Sequence, residues 1–264
     1  MAEKETLSDL IKGYEANYDL TLPKRTPLII RCDGRAFHTF TKGFDKPFDE
    51  IFIKSMQETM KTLCENIPGC QFGYVESDEI SLLVWETSND AEPWFANRLQ
   101  KLCSVSASMA TLYFNQNFKK FLNDYSEEEK PKHYNAIEKG ALFDSRVFMI
   151  PESVINPYFV WRQNDCTRNS ILGLSLSYFS HKQIQNLKCN ELQNKLLTEK
   201  DVNWNDESTV HKRGTCAYKI IDNEELQSHK WILDYEMPII TEDRKFVYSK
   251  IIFPEDDATV HFLN

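Results

Sequence analysis

Apolar positions along the chain change from one period to another, and these changes outline the secondary structure. The run TPLIIRCD is apolar up to its last residues, which predicts a buried strand that ends at Asp33. From Pro47, apolar residues recur every three or four positions, which predicts a helix with Pro47 in its first turn. The members of that pattern are Phe48, Ile51, Phe52, Met56, Met60 and Leu63. The opening stretch TLSDLIKGYEANYD also predicts a helix.

The next apolar runs, CQFGYV and ISLLVW, are separated by the acidic tetrapeptide ESDE. Two short apolar runs around a polar turn predict a hairpin. A long helix is expected from about Pro93, with Leu99, Leu102, Ser106, Ala110 and Tyr113 on one face. The predicted order up to this point is therefore β–α–β–β–α.

The remaining chain is less regular. The segment from Phe114 to Ala141 is polar and rich in charge, and we interpret it as a loop. FDSRVFMIP predicts a strand, and two helices are expected over VWRQNDCTRNSILGLSLSYF and HKQIQNLKCNELQNKLL. The strand-like runs GTCAYKII and KWILDYEMPII complete the pattern.

This order predicts an α+β fold with a palm-like domain, in which a split β-α-β antiparallel sheet carries helices on one face. The palm is expected over residues 1–150. Residues 151–264 are expected to form a C-terminal portion of helices and strands, mainly a helical extension, that packs on the palm and does not fold independently. In such a sheet the first strand and the central hairpin are neighbours, so Asp33 and Asp78 come together.

Composition limits the class of protein. The 264 residues contain no apolar run of the roughly 18 residues that a membrane span needs, and the charged N-terminus does not resemble a signal peptide. Seven cysteines without a C-x-x-C pair predict free thiols in a reducing cytoplasm. The net charge of −9 argues against a simple nucleic-acid coat protein. RNA would have to meet local basic patches such as NFKKF, KPKH and HKRG, which are alternatively just solvated faces.

Three acids form the candidate catalytic centre: Asp33, Asp78 and Glu79. Mg²⁺ binds one or two carboxylates and takes its remaining ligands from water and phosphate oxygens. Two such ions support an in-line displacement at phosphorus. The other interpretation is that D-G is a turn and S-D-E an exposed hairpin tip.

Cations follow the first acid at Arg35, His38, Lys42 and Lys46. Arg98 and Lys101 are three positions apart, which places them on one helix face. Arginine and lysine near a triphosphate add electrostatic stabilisation to that of a metal. Both groups are therefore candidates for nucleotide binding, although Lys42 is more typical of a surface cation.

Five motifs in order carry a resemblance to a known family. R-x-DGR-x-FH is followed by KP-x-D, SDE-x-S, FD-x-RV and WRQ-x-DC, and together they resemble the tRNA-histidine guanylyltransferase family. These are reverse-direction polymerases that add nucleotides to the 5′ end of tRNA. The resemblance runs from about Tyr14 to Gly214.

The resemblance implies roles for individual residues. Positions matching Asp33 and Asp78, with the carbonyl of Gly34, bind two Mg²⁺ ions in the family, and Glu79 matches a required acid. Ala36 stands where the family commonly has asparagine. The motifs and the cation pattern together give the nucleotide-binding set Arg31, Gly34, Arg35, Ala36, Phe37, His38, Lys46, Ser77, Arg98 and Lys101. Candidate RNA contacts are Lys119, Lys120, Arg162, Asn169, Lys212 and Arg213.

One departure affects the expected reaction. After WRQ-x-DC, members that add guanosine to histidine tRNA carry His-Ile-Asn, whereas this chain reads Thr167-Arg168-Asn169. In lacking this motif the chain resembles the Thg1-like subgroup, whose members add nucleotides under the direction of a template and repair shortened 5′ ends. The expected function is thus templated 3′-to-5′ nucleotide addition to tRNA. The alternatives are histidine-tRNA guanylylation, another palm-type enzyme such as a cyclase, and a non-catalytic RNA-binding module.

The resemblance also implies partners. Family members use GTP, ATP and other nucleoside triphosphates with tRNA, and they usually assemble as tetramers. A cytoplasmic enzyme with these partners is therefore expected.

Overall fold

The computed structural model describes residues 6–88, 91–124, 131–223 and 228–253. Six antiparallel strands in the described residues form one sheet with the order β4-β1-β3-β2-β5-β6. The strands are β1 (Leu28–Gly34), β2 (Cys70–Glu76), β3 (Glu79–Val84), β4 (Phe143–Met149), β5 (Thr215–Asn223) and β6 (Ser228–Asp234). The first strand and the central hairpin are neighbours, as the sequence predicts.

Nine α-helices lie in the described ranges. They are α1 (Leu7–Ala16), α2 (Phe37–Phe40), α3 (Glu50–Asn66), α4 (Leu99–Asn123), α5 (Pro131–Lys139), α6 (Ile155–Tyr178), α7 (His181–Ile184), α8 (Cys189–Lys200) and α9 (Thr209–Arg213). Helices α3 and α4 cover one face of the sheet, where Met60 and Phe114 pack against Ile30 and Cys32 of β1. These are the palm helices that the sequence predicts on one face.

The opposite face of the sheet is covered by the C-terminal part of the chain. Phe159 of α6 packs against Phe72 and Tyr74 of β2, and Ile240 and Val247 belong to the same core. Strands β5 and β6 extend the palm sheet beyond β2. Residues on both faces of β1 and β2 are therefore buried, which explains why these strands are almost continuously apolar.

Several predicted boundaries are wrong, and α4 begins at Leu99 and not at about Pro93. The segment from Phe114 to Ala141 is largely helical where the structure describes it, because Phe114, Phe118 and Leu122 repeat every fourth residue and are buried. Helix α5 covers much of the remainder, and residues 125–130 lie outside the described part.

Helix α3 begins at Glu50 and not at Pro47, because the Asp49 carboxylate caps it by accepting from the Phe52 N–H at 2.9 Å. The second predicted C-terminal helix is two helices. Asn186 adopts a left-handed conformation with φ of 67°, which ends α7 before α8 begins.

Further features agree with the composition. All seven cysteines are free, and most are buried. Within the described ranges, none of the helices combines the length and the apolar character that crossing a membrane requires.

Candidate active site

The end of β1 lies against the turn of the β2–β3 hairpin. Asp33 is the cross-strand partner of Glu79, and the Gly34 N–H donates to the Asp78 carbonyl at 3.0 Å. Ser77 forms the turn with φ of 49°, and its hydroxyl donates to the Asp78 carboxylate at 3.1 Å. Burial, and after it the charge of Asp33, raises the pKa of Asp78 above its ordinary value. The two acids predicted to meet are therefore close enough to interact electrostatically.

Gly34 has a packing reason to be glycine. A Cβ at this position would lie 2.3 Å from the ring of Phe37, so no larger residue fits without displacing that ring. Phe37 itself is buried in an aromatic cluster with Phe40, Phe114 and Phe143. Its side chain consequently supports the site from the core, next to the lining of the cleft described below.

The donor set at this edge is compatible with magnesium. The described residues contain no cluster of three or more histidine, cysteine, aspartate or glutamate side chains suited to a metal. A pair of carboxylates such as Asp33 and Asp78 still fits Mg²⁺, because this ion commonly keeps several waters and binds substrate phosphates. Asp33 is also approached by a cation, with Arg146 Nη2 at 3.6 Å from its Oδ2.

Glu79 has a different environment from the other two acids. Both of its carboxylate oxygens accept from Arg162 Nη1 at 2.8 Å, and Arg31 Nε lies 3.7 Å away. Arg162 also donates to Asp165 at 3.0 Å. Glu79 is thus part of a buried charge network that holds the hairpin turn.

That network contradicts one predicted RNA contact. Arg162 is only 4% exposed, and its guanidinium lies 3.6 Å from the ring centroid of Trp161. Its charge is already balanced by Glu79 and Asp165. Arg162 is therefore a buried structural cation and not a surface contact for RNA. Arg31, from the predicted nucleotide set, faces the same network.

A cleft opens beside the acidic edge. Its lining includes His38, Thr41, Lys46, Ser77 and Asp78. The exposed side chain of Arg35 lies on the segment that joins β1 to α2, and Ala36 has φ of 57° there. An asparagine tolerates that conformation better than alanine, so the family's preference has a backbone reason. The cleft combines cations with one of the candidate metal ligands.

Two predicted nucleotide contacts lie elsewhere. The Phe143 N–H donates to Thr111 Oγ1 at 3.1 Å, and Phe143 pairs with Gly34, so Thr111 is level with the acidic edge. Arg98 lies about 20 Å further back along α4, since a helix rises about 1.5 Å per residue. It pairs with Asp19 at 2.7 Å, and Lys101 lies over the Phe95 ring. Within one chain, Arg98 and Lys101 therefore do not join the carboxylates.

The other predicted RNA contacts are spread over two regions. Lys119 and Lys120 are exposed near the end of α4. Asn169 is exposed on α6, and Lys212 and Arg213 end α9, where Arg213 donates to the Met237 carbonyl at 3.3 Å. Lys212 Nζ donates to the Asn205 carbonyl at 2.5 Å. His133, from the predicted basic patch KPKH, is buried and binds Asp49 at 2.9 Å, so it is not available to RNA.

Sequence reasoning missed two functional candidates, Arg146 and Asp165. Arg146 lies within FD-x-RV and Asp165 within WRQ-x-DC, so both motifs contained the signal. Only the folded sheet shows that Arg146 is beside Asp33 and that Asp165 holds Arg162.

Comparisons with known proteins agree with this geometry. The family model described as Thg1, tRNAHis guanylyltransferase, matches residues 8–151. A tRNA(His) guanylyltransferase of Debaryomyces hansenii is 30% identical over 229 residues, which cover 81% of this chain and 80% of that protein.

Two solved structures are also similar. A bacterial tRNA(His) guanylyltransferase (Thg1)-like protein in complex with ATP is 39% identical with a TM-score of 0.82, over 94% of this chain and 100% of that one. A bacterial Thg1-like protein in complex with GTP is 37% identical with a TM-score of 0.76, over 92% of this chain and 97% of that one.

The fold and its acidic edge define an α+β protein with a palm-like sheet of the nucleotidyltransferase type. The chain belongs to the tRNA-histidine guanylyltransferase family. Members of this family are nucleotidyltransferases that act on tRNA, so the predicted family and enzyme class are confirmed.

Proposed function

We propose that the protein is a template-dependent 3′-to-5′ nucleotidyltransferase that repairs the 5′ end of tRNA. The observation that carries this proposal is the juxtaposition of Asp33 and Asp78 beside a cleft that Lys46 helps to line. Palm-type chemistry needs two acids beside a triphosphate site, and the two acids at this edge of the sheet, next to a cleft, support that assignment. The family membership narrows the substrate to a tRNA 5′ end.

The acids and the cleft have different roles: the acids bind the metal ions, and the cleft binds the triphosphate. Two Mg²⁺ ions held by Asp33, Asp78 and the Gly34 carbonyl would neutralise phosphate charge and activate the attacking oxygen. Lys46 and His38 attract and orient the triphosphate, because both line the cleft, and Arg35 is exposed on the neighbouring segment between β1 and α2. The buried network around Arg162 holds the hairpin turn in place, and this turn positions Asp78 to bind Mg²⁺.

Thr167, which replaces the histidine of the guanosine-adding members, favours templated addition. Thr167 Oγ1 donates to the Lys212 carbonyl at 3.0 Å, so this side chain is used to attach the end of α9 to α6. A side chain engaged in that way does not read a base. When pairing with the opposite strand selects the nucleotide, the protein needs shape and phosphate contacts only.

The partners follow from the same reasoning. Related structures are described as complexes with ATP and with GTP, and we propose both as substrates here. A homotetramer in the cytoplasm is part of the proposal, since a second chain would bring further cations to the tRNA. The proposed RNA contacts are the exposed residues Lys119, Lys120 and Asn169, together with the partly buried Lys212 and Arg213.

The test is a templated addition assay. The protein is incubated with Mg²⁺, nucleoside triphosphates and a 5′-labelled tRNA that lacks its first nucleotide, while the base opposite the gap is varied. Growth that follows the template base is the expected result. Addition of guanosine whatever the opposite base would favour the activity for which the curated relatives are named. Nucleotide binding without any growth would contradict the proposal and point to another palm-type enzyme.

A further inference from the structure

A second cavity, which we call the side pocket, lies beside the cleft between α3, α6 and α9. It is partly open to solvent, and its walls come from α3, α6, α9 and the neighbouring ends of β2 and β5. The two cavities share the wall residues Pro47, Asp49, Phe52 and Ser77. A ligand in the side pocket is therefore next to the same hairpin turn that carries Asp78.

One wall of the side pocket has an unexplained glycine. Gly173 is in the interior of α6, where glycine is less favourable than alanine. A Cβ at this position would meet nothing nearer than Pro47 Cβ at 3.9 Å, so close packing does not require the glycine. The neighbouring wall residues of α6, Cys166, Asn169 and Ser170, are also small or polar. This face of the helix leaves space that the protein's own side chains do not fill.

The remaining walls are suited to a flat aromatic ligand. Phe48 and His211 stack with ring centroids 3.9 Å apart and 16° between their planes, and both line the pocket. Phe52, Met56 and Val75 add apolar surface.

Two polar groups accompany this surface. Asn169 is exposed at the pocket. Glu76, also in the wall, is 5% exposed, and among the described residues its Oε2 has no hydrogen-bond partner. Stacking surface with a few amide or carboxyl groups is the chemistry that binds nucleobases.

We propose that the side pocket holds the nucleobase of a second nucleotide unit while a first unit occupies the cleft. This inference rests on the proposed function, in which two nucleotide units must meet at one pair of acids. Two cavities that share a wall at the turn of Asp78 provide places for both units. The nucleobase belongs either to a free nucleoside triphosphate or to the 5′-terminal nucleotide of the RNA.

The test fills the side pocket from α6. Gly173→Leu occupies the space, and Gly173→Ala adds a single carbon for a graded comparison. Asn164→Leu introduces the same side chain at an exposed position of the same helix, away from the pocket lining, and serves as the control. Val210→Phe fills the pocket from α9 and replaces Gly173→Leu if circular dichroism finds that variant unfolded.

Two binding measurements in Mg²⁺ distinguish the sources of the base. The first compares ATP and GTP with inorganic tripolyphosphate, which has no base. The second compares an RNA hairpin with an intact 5′-terminal nucleotide to the same RNA with an abasic one.

We expect Gly173→Leu to bind one of the base-containing ligands about tenfold more weakly, the scale of a lost stacked base, with a smaller effect for Gly173→Ala. Binding of tripolyphosphate and of abasic RNA should not change. A loss for ATP or GTP identifies a free nucleotide, and a loss for intact RNA identifies the terminal base. Wild-type affinities for every ligand would overturn the proposal.

These measurements need no nucleotide addition. The two proposals can therefore fail separately. If the wild-type protein adds no nucleotide in the templated assay, the proposed function is contradicted. If Gly173→Leu still weakens base-dependent binding, the nucleobase pocket remains supported.

Discussion

Arg162 of α6 donates from Nη1 to both carboxylate oxygens of Glu79, the first residue of β3, at 2.8 Å. The pair joins the C-terminal part of the chain to the hairpin turn that carries Asp78. Glu76 and Asp165 lie 3.8 and 3.0 Å from the same guanidinium. One buried cation therefore contacts three acids directly behind the candidate active site.

Removal of this cation should destabilise the fold. Arg162→Met leaves the carboxylate of Glu79 buried without its hydrogen-bonded partner, and breaking a buried pair in this way typically costs about 3–5 kcal/mol. Urea denaturation measures the change in the free energy of unfolding. Arg168→Met is the matched control, because Arg168 binds the same Asp165 but its side chain is 64% exposed.

A double-mutant cycle separates the pair from its surroundings. Combining Arg162→Met with Glu79→Gln should recover part of the lost stability, since the uncompensated charge is removed together with its partner. Additive losses from the two substitutions would mean that the pair does not hold the turn.

The carboxylates of Asp33 and Asp78 should be required for the chemistry and not for the fold. We expect Asp33→Asn or Asp78→Asn to slow templated nucleotide addition about 100-fold or more, equivalent to about 3 kcal/mol of transition-state stabilisation. Denaturation curves should stay close to wild type. Asp144→Asn is the control, because Asp144 is the cross-strand partner of Asp33 on β4 and is half-exposed. Full activity of the Asp78 variant would end the metal-site proposal.

Lys46 should contribute binding energy for the triphosphate. Lys46→Met removes a charge from the cleft and keeps an unbranched side chain that is only one atom shorter, and about tenfold weaker binding of ATP and GTP is expected from one lost charge-assisted contact. Isothermal titration measures the affinities. Lys54→Met, on the exposed side of α3, should bind both nucleotides as the wild type does. Equal affinities for the Lys46 variant and this control would place the triphosphate elsewhere.

Sequence patterns predicted the acidic edge because strand order and alternation determine which residues of β1 and the hairpin meet. They could not predict where helical cations lie. The three-residue spacing of Arg98 and Lys101 places them on one face of α4, but it does not say which end of that helix reaches Asp33. The sequence also does not show whether a charged side chain is buried. Arg162 was predicted to contact RNA at the surface, whereas in the fold it is buried against Glu79, which is distant in sequence. The helix at Phe114–Asn123 was missed because its polar face dominates its composition.

The buried carboxyl of Glu76 should make stability depend on pH. Burial, and after it the charge of Glu79, raises the pKa of Glu76 to about 8 from its ordinary value of 4.5. The folded protein therefore holds this proton over a pH range in which the unfolded chain has released it. The stabilisation from this group is complete below about pH 4.5 and is lost as the pH rises through about 8, with a slope of at most about 1.4 kcal/mol per pH unit.

Glu76→Gln should remove this component, because glutamine has the shape of the protonated acid and does not titrate. We expect the stability of the variant to fall less steeply than that of the wild type between about pH 5 and 8. Urea denaturation in metal-free buffer at several pH values measures both slopes. Glu199→Gln, an exposed substitution on α8, should follow the wild-type slope. Parallel curves for Glu76→Gln and wild type would mean that the carboxyl of Glu76 ionises in the folded protein as readily as in the unfolded chain.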